Sequence, residues 1–486
     1  MNFYAIVTVI SLAVYLIVGF YSAKNLKNVD DFYVMGRNAP SYLITGTMIA
    51  TNISSVAFVG YVGSVYSRGS LPYLTMFGAT LTSSIILGLY VGRYIWRMKL
   101  YTVPDFFTTR YPKNEVVKIA STAIVLFSML IFLISVCQGV NVVLCDTFGM
   151  SKIMAQIVVL GIVTVFTMAG GMKGVVITDT IMFCIFFVAA MLVAPFLVGA
   201  MGGWPNGITE AVKKIPYTMN WDGNFGHFAG FWQYVEVNIA SIVLVFASPQ
   251  LLSRAFIAKS EKTFGRAMIL QTLVFPIFIF SLLFFFGILP AVNPDLAPTS
   301  AFTWAAMNLA PKWIGALALA GITAAALSSA SSLFQQAAAA LSRDIYERYV
   351  NPQASEQKKL LVSRLAVLAI AILCYIAGTT QQITAVGMVY GFLFATAAWA
   401  AWFPSLIFGV LWKKATAKAA AWSMSLGFIC AMIFVFGRTN GFTPSWLPPN
   451  AVGLLVSFIV YIIVAKTSEP TKDELEVYSA MRKPVE

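Results

Sequence analysis

Four serines stand within five residues, Ser328, Ser329, Ser331 and Ser332, in a stretch otherwise built from alanine, glycine, leucine, isoleucine and a threonine. Read as a helix, Ser328, Ser331 and Ser332 fall at i, i+3 and i+4 and share one face. A second polar cluster interrupts an apolar run at Gly46-Thr47-Met48-Ile49-Ala50-Thr51-Asn52-Ile53-Ser54-Ser55-Val56-Ala57-Phe58, with glycines at 46, 60 and 63. Hydroxyls, and carbonyls set free where a helix is interrupted, are the hard oxygen ligands that a cation such as sodium requires. The same residues suit a plainer use, in which serine and threonine bond back to their own helix and small side chains allow close packing. The residues alone leave the two uses open.

Asp179 follows Gly170-Gly171 in another apolar run. A carboxylate there is expensive and is by default a functional group with a cationic partner, yet no Lys or Arg stands one turn away on its own helix. Thr178-Asp179 could equally cap a helix. Glu236 and Asn238 lie near the outer end of a later run. Asn52, Ser55, Phe58 and Asn238 are the candidates for contacting a bound solute. Asn52-Ile53-Ser54 matches a glycosylation sequon, which is inaccessible inside a membrane helix.

The elements that position these groups are membrane helices. Of 486 residues, 59% are hydrophobic and 10% charged, where a soluble domain carries about 25% charged residues. Apolar runs long enough to cross roughly 30 Å of hydrocarbon recur from end to end. Thirteen helices are predicted, near 3–22, 40–66, 71–97, 117–147, 153–169, 173–198, 230–252, 266–290, 312–341, 361–379, 384–411, 416–437 and 448–466. Residues 3–22 follow no basic stretch and precede no small-residue cleavage site, so they read as a retained first helix.

The formal net charge of +13 does not indicate nucleic acid, because the basic residues sit in short loops between apolar runs. With the N-terminus outside, only Arg68, Lys152, Lys213, Lys214, Lys312 and Arg438 of the 32 basic residues face outward. The rest, from Lys24, Lys27 and Arg37 through Arg110 and Arg254 to Lys483, fall inside, as the positive-inside rule requires. Residues 1–466 then form a single transmembrane domain with its core at about 40–411, and 467–486 a charged, flexible cytoplasmic tail. The longest outside loop, 199–229, holds the single histidine, His227, expected to be solvated.

Cys137, Cys145, Cys184, Cys374 and Cys430 show no paired spacing and read as free thiols. No phosphate-binding loop, dinucleotide fingerprint, nucleophile elbow or His/Cys metal spacing occurs. Neither ATP-driven transport nor catalysis is expected, and no organic cofactor. Helices two to six and seven to eleven form two sets of five, and an odd number places them in opposite orientations, the arrangement of an inverted repeat.

The chain resembles the sodium/solute symporter family, which includes sodium–glucose, proline, pantothenate and sialic-acid symporters. The likeness runs over about residues 3–440. It is carried by Asp31-Phe32-Tyr33 with Gly36-Arg37, by Ala50-Thr51-Asn52-Ile53-Ser54, by Gly170-Gly171 with Thr178-Asp179, by Arg254 followed by Ala258-Lys259-Ser260, by Ser328-Ser329 before Asp344-Ile345-Tyr346, and by Gly409-Val410-Leu411-Trp412-Lys413-Lys414. It implies a five-plus-five, LeuT-like inverted-repeat core with broken helices. It implies a sodium site from the carbonyls of Ala50, Ile53 and Ala325 and the hydroxyls of Ser328 and Ser329. In some members a second sodium site matches Asp179, Ser328, Ser331 and Ser332. Asn52 replaces an acid of the proline permease, Val56-Ala57 replace the Glu-Gln of sugar symporters, and Met182-Phe183 stand near a usual glutamine. The implied function is sodium-coupled uptake, in the inner membrane, of a small carboxylate, amino acid or pantothenate-like acid. The partners are the solute, sodium ions and the bilayer. Proton coupling through Asp179 and a sensor that kept the transporter fold are the alternatives.

Overall fold

The computed structural model describes residues 3–23 and 28–483; Lys24 and Lys27 lie outside the described residues. The crossing helices are α1 (Phe3–Ala23), α2 (Ser41–Asn52 continued by Val56–Arg68), α3 (Leu71–Arg97), α4 (Glu115–Phe148), α5 and α6 (152–170 and 172–200), α7 (His227–Ile257), α8 (Glu261–Gly287), α9 (Lys312–Val350), α10 (Glu356–Thr379), α11 (Gln381–Leu411), α12 (Ala417–Asn440) and α13 (Pro449–Lys466). Their starts are written locally. Asn114, Ser151, Ser260, Ser355 and Thr416 each accept a hydrogen bond from the backbone N–H three residues on, capping α4, α5, α8, α10 and α12. Among the described residues the only β-pairing is one bridge, Ala39 with Ala258.

Among the described residues eleven helices are long and apolar enough to cross a membrane, and the α2 pair, bent by 49°, makes a twelfth. The run Lys152–Ala200 supplies one more. Its 49 residues would extend about 73 Å at 1.5 Å each, over twice the hydrocarbon thickness. Gly171, at φ 51° and ψ −154°, breaks it into two. That region of backbone space is open essentially to glycine alone, and a Cβ at Gly171 would lie 2.7 Å from the Phe32 ring and 2.9 Å from its carbonyl. With that run divided at Gly171, the described residues hold thirteen apolar helical segments, where the sequence predicts thirteen crossings.

Both five-helix sets begin with an interrupted helix. In α2, Ile53 leaves helical geometry (φ −97°, ψ 100°), and the chain resumes as a π-helical segment, Val56–Tyr61. In α7, Ser248 (φ −74°, ψ 129°) separates His227–Ala247 from Pro249–Ile257. Proline at 249 lacks the N–H that would continue the ladder. The start of the first set is tied to the end of the second set's broken helix, for Ala39 N–H donates to Ile257 O (3.0 Å) and Lys259 N–H to Ala39 O (3.2 Å).

The small-residue helix α9 lies at the centre, 94% of its apolar window buried, against 33% for α1, α10 and α13. Alanine, glycine and serine let neighbouring helices approach it closely.

Two expectations are corrected. The tail is folded and docked: Lys472–Ala480 forms a helix, α14, with a capping box between Thr471 and Glu474. Buried Glu474 also accepts from Ala417 N–H (2.6 Å). Arg110 and Arg254 are not loop cations, since both are fully buried. Arg110 donates to the carbonyls of Gly409, Ala415 and Glu474, while Arg254 lies in the second half of α7. His227, at the start of α7, is exposed as expected but bonds Asp222 at 2.7 Å.

Candidate functional site

The break in α2 faces the serines of α9. Ser328 Oγ lies 3.0 Å from both Ala50 O and Ala325 O. Ser329 Oγ lies 3.3 Å from Thr51 O and 3.5 Å from Ala50 O. Five neutral oxygens therefore converge where α2 loses its helical hydrogen bonding. Separations of this size are those of neighbouring ligands in the shell of a hard cation held at about 2.4 Å. Among the described residues no three His, Cys, Asp or Glu side chains gather in a way that could hold a metal ion. Five uncharged oxygens suit a monovalent cation that gives up its water to carbonyls and hydroxyls. Ile53 is the extended residue of the break and is buried. Thr51 contributes a carbonyl that sequence reasoning did not name.

One turn deeper, Asp179 of α6 meets α2, α7 and α9. Its two oxygens have different partners. Oδ1 accepts from Ser331 Oγ (3.3 Å), which is also bonded to Ser328 O (2.9 Å). Oδ2 accepts from Thr47 Oγ1 (2.7 Å), Thr51 Oγ1 (3.4 Å), Ser332 Oγ (3.3 Å) and Arg254 Nη2 (3.2 Å). Arg254 donates further to Thr47 and Thr51, each at 2.9 Å, and to Ser332 at 2.5 Å. Both charged side chains have zero exposure. Close approach here depends on Gly46, where a Cβ would stand 2.6 Å from Thr180 of α6. Sequence reasoning missed Thr47, Thr51 and Arg254 at this node. The i, i+4 spacing of the two threonines was the one available signal.

A cavity of about 220 Å³ opens beside the second half of α2, on the side of the 199–229 segment. Gly60, Tyr61 and Ser64 of α2, Ser135 of α4, Gln233 and Glu236 of α7, and Thr396 of α11 line it. Among the described residues Glu236 is the single charged one in the lining, and it pairs with Arg438 at 2.6 Å. None of Asn52, Ser55, Phe58 and Asn238 lines this cavity. Ser55 Oγ donates to Val136 O (2.9 Å), fastening α2 to α4 opposite Gly139. Phe58 packs edge-on against Phe186, Phe278 and Phe302. Asn238 donates to Thr75 Oγ1 (3.1 Å) and borders a different, mostly apolar groove between α3, α7 and α11.

Asn52 stands apart, since its Nδ2 is buried without a hydrogen-bond partner. Nearby elements hold others of the kind: Gln138 Nε2 and Asn141 Oδ1 on α4, and both side-chain polar atoms of Gln250, just past the break in α7. An unsatisfied buried polar atom costs about 1–3 kcal/mol. Four amide side chains are in that condition on the elements flanking the two breaks.

A family model described as "Sodium:solute symporter family" matches residues 32–427. The chain is similar to a sodium/proline symporter of Salmonella typhimurium, 24% identical over 435 residues, covering 86% of this chain and 85% of the relative. It is similar to a sodium/glucose cotransporter of Vibrio parahaemolyticus, 24% identical over 490 residues, covering 92% and 85%. Its fold is that of a substrate-bound, outward-open sodium-coupled sialic acid symporter, with a TM-score of 0.82 at 20% identity, over 97% of this chain and 99% of that one.

Proposed function

Since the chain belongs to the sodium:solute symporter family, we propose that it loads sodium on the oxygens of Ala50, Thr51, Ala325, Ser328 and Ser329 and carries an amino acid with it. It is a multi-pass membrane transporter, not an enzyme, and it binds sodium ions and a small solute. The carbonyl of Ile53 belongs to the proposed sodium shell as well. A second sodium would sit on the Oδ1 side of Asp179, with Ser331 and the Ser328 carbonyl, while Arg254 keeps Oδ2. Ser332 then serves Arg254 as much as the ion.

Sodium binding would bridge α2 and α9 and so fix the broken helix beside which the solute binds. An inward gradient and a negative potential drive the cycle, the potential adding about 2.3 kcal/mol per charge per 100 mV. Proton coupling through Asp179 has less support, because that carboxylate is engaged by Arg254 and four hydroxyls.

The choice among carboxylate, amino acid and pantothenate-like acid rests on the cavity, whose one lining charge is the acid Glu236. A simple carboxylate finds no free cation there. A zwitterion can offer its ammonium to Glu236, alongside Arg438, and its carboxylate to the hydroxyls of Ser64, Ser135 and Thr396 that line the same cavity. The similarity to a sodium/proline symporter points the same way. A thermal-shift panel of amino acids, pantothenate, sialic acid, simple carboxylates and sugars, each with and without sodium, tests this. An amino acid should stabilise by mass action, and more strongly in sodium. Stabilisation by a sugar or a carboxylate alone, with no response to any amino acid, would overturn the assignment.

The distribution of basic residues supports an inner-membrane orientation with the N-terminus outside and the C-terminal helix in the cytoplasm. In a background lacking the native thiols, Asn224→Cys should react with an impermeant thiol reagent on intact cells, and Glu469→Cys only after permeabilisation. Both side chains are exposed. The reverse pattern would invert the topology.

A further inference from the structure

We infer that the junction of α3 and α8, at the membrane face carrying the C-terminal segment, is a binding site for one anionic phospholipid. A cavity of about 300 Å³ lies there, separate from the sodium and solute sites. Arg93 of α3 and Lys262 and Arg266 of α8 line it together. The one acid beside them, Glu261, is already paired with Arg97 at 2.8 Å. Arg93, Lys262 and Arg266 enter no ion pair among the described residues; Arg93 donates through Nη2 to the Tyr94 hydroxyl (2.9 Å), and its buried Nε has no hydrogen-bond partner there.

Glycines make the cavity. Gly88 and Gly265 face each other across the helix crossing, where a Cβ on Gly88 would stand 2.6 Å from Met268 and one on Gly265 3.3 Å from the Gly88 carbonyl. The backbones meet closely, and the longer side chains around them wall a recess.

The apolar half of the ligand is specified too. Ile269, Leu273 and Ile277 follow at four-residue spacing along α8 and are 42%, 64% and 59% exposed. They share one face, three residues on from Arg266. A headgroup phosphate in the recess would therefore have an acyl chain running along this strip. Single cations snorkel to headgroups wherever helices end. Here three cations without an ion-pair partner among the described residues converge from two helices on one concave site, with Glu261 beside them held by Arg97, which selects a net negative lipid over a zwitterionic one.

The test is native mass spectrometry of the purified protein titrated with phosphatidylglycerol or phosphatidylcholine. Wild type should hold one phosphatidylglycerol that phosphatidylcholine does not replace. Each exposed cation contributes about 1 kcal/mol near a charged lipid, or about fivefold in affinity. Lys262→Gln and Arg266→Gln should each weaken retention about fivefold, and the pair about 25-fold, while Arg266→Lys should retain the lipid. Equal retention by wild type and the double variant would overturn the site. Displacement of the lipid by inorganic phosphate at equal concentration would overturn its assignment to a phospholipid.

Discussion

Arg254→Gln is expected to destabilise the protein by about 3–5 kcal/mol, as breaking a buried ion pair does when one charge is left behind. Asp179 would lose the partner of its Oδ2, at zero exposure and with hydroxyls alone to answer its charge. Asp179→Asn should be comparably harmful, because it strands the guanidinium instead. Removing both charges should cost far less than the sum, since replacement of a whole buried pair is often near neutral. A double-mutant cycle on the midpoint of thermal unfolding measures this. Strictly additive losses would mean that Arg254 and Asp179 do not depend on each other. A helix-capping role for Asp179 makes the opposite forecast, for asparagine caps about as well as aspartate and Asp179→Asn would then be mild.

The second large effect concerns ion count. Ser328→Ala removes a hydroxyl placed between two carbonyls and should raise the sodium concentration for half-maximal uptake about tenfold, roughly 1.4 kcal/mol, near the worth of one polar contact. Ser329→Ala should act in the same direction. Ser331→Ala should behave differently. Its hydroxyl touches Asp179 Oδ1 and the Ser328 carbonyl but not Arg254, so it probes a second sodium without disturbing the ion pair. With two sodium ions per cycle, Ser331→Ala should lower the Hill coefficient for sodium toward one. An unchanged coefficient would leave a single-site symporter.

The serine cluster, the interrupted α2 and the paired glycines were legible because each is a local pattern. Four hydroxyls in one turn and a half of apolar helix, or Gly170-Gly171 between two apolar runs, carry their meaning within a few residues. The partner of Asp179 was not legible, since Arg254 lies 75 positions away and sits on another helix. Its basic character placed it in a loop when only charge was counted. The cavity-facing side of α2 also escaped. Helical phase carries a face forward only while the helix is regular, and the extended Ile53 followed by the π-helical 56–61 segment resets it. Ser55 and Phe58 were thereby turned toward α4 and the phenylalanine core, and Gly60, Tyr61 and Ser64 toward the cavity. The folded tail had a readable sign in Thr471 and Glu474, the spacing of a capping box, which its charged composition obscured. Buried amides such as those of Gln138 and Gln250 are defined only by the packed structure, and no sequence pattern announces them.

Sodium binding by the α2–α9 oxygens is tested most directly without any solute. The purified protein's unfolding temperature is followed as sodium chloride is raised, with potassium chloride at equal ionic strength as the control. Wild type should be stabilised by sodium and not by potassium, with a saturable dependence following RT ln(1 + [Na⁺]/Kd). The Ser328→Ala/Ser329→Ala double variant should need at least tenfold more sodium for the same shift. Identical curves in the two salts, or a sodium response unchanged in the double variant, would contradict the site.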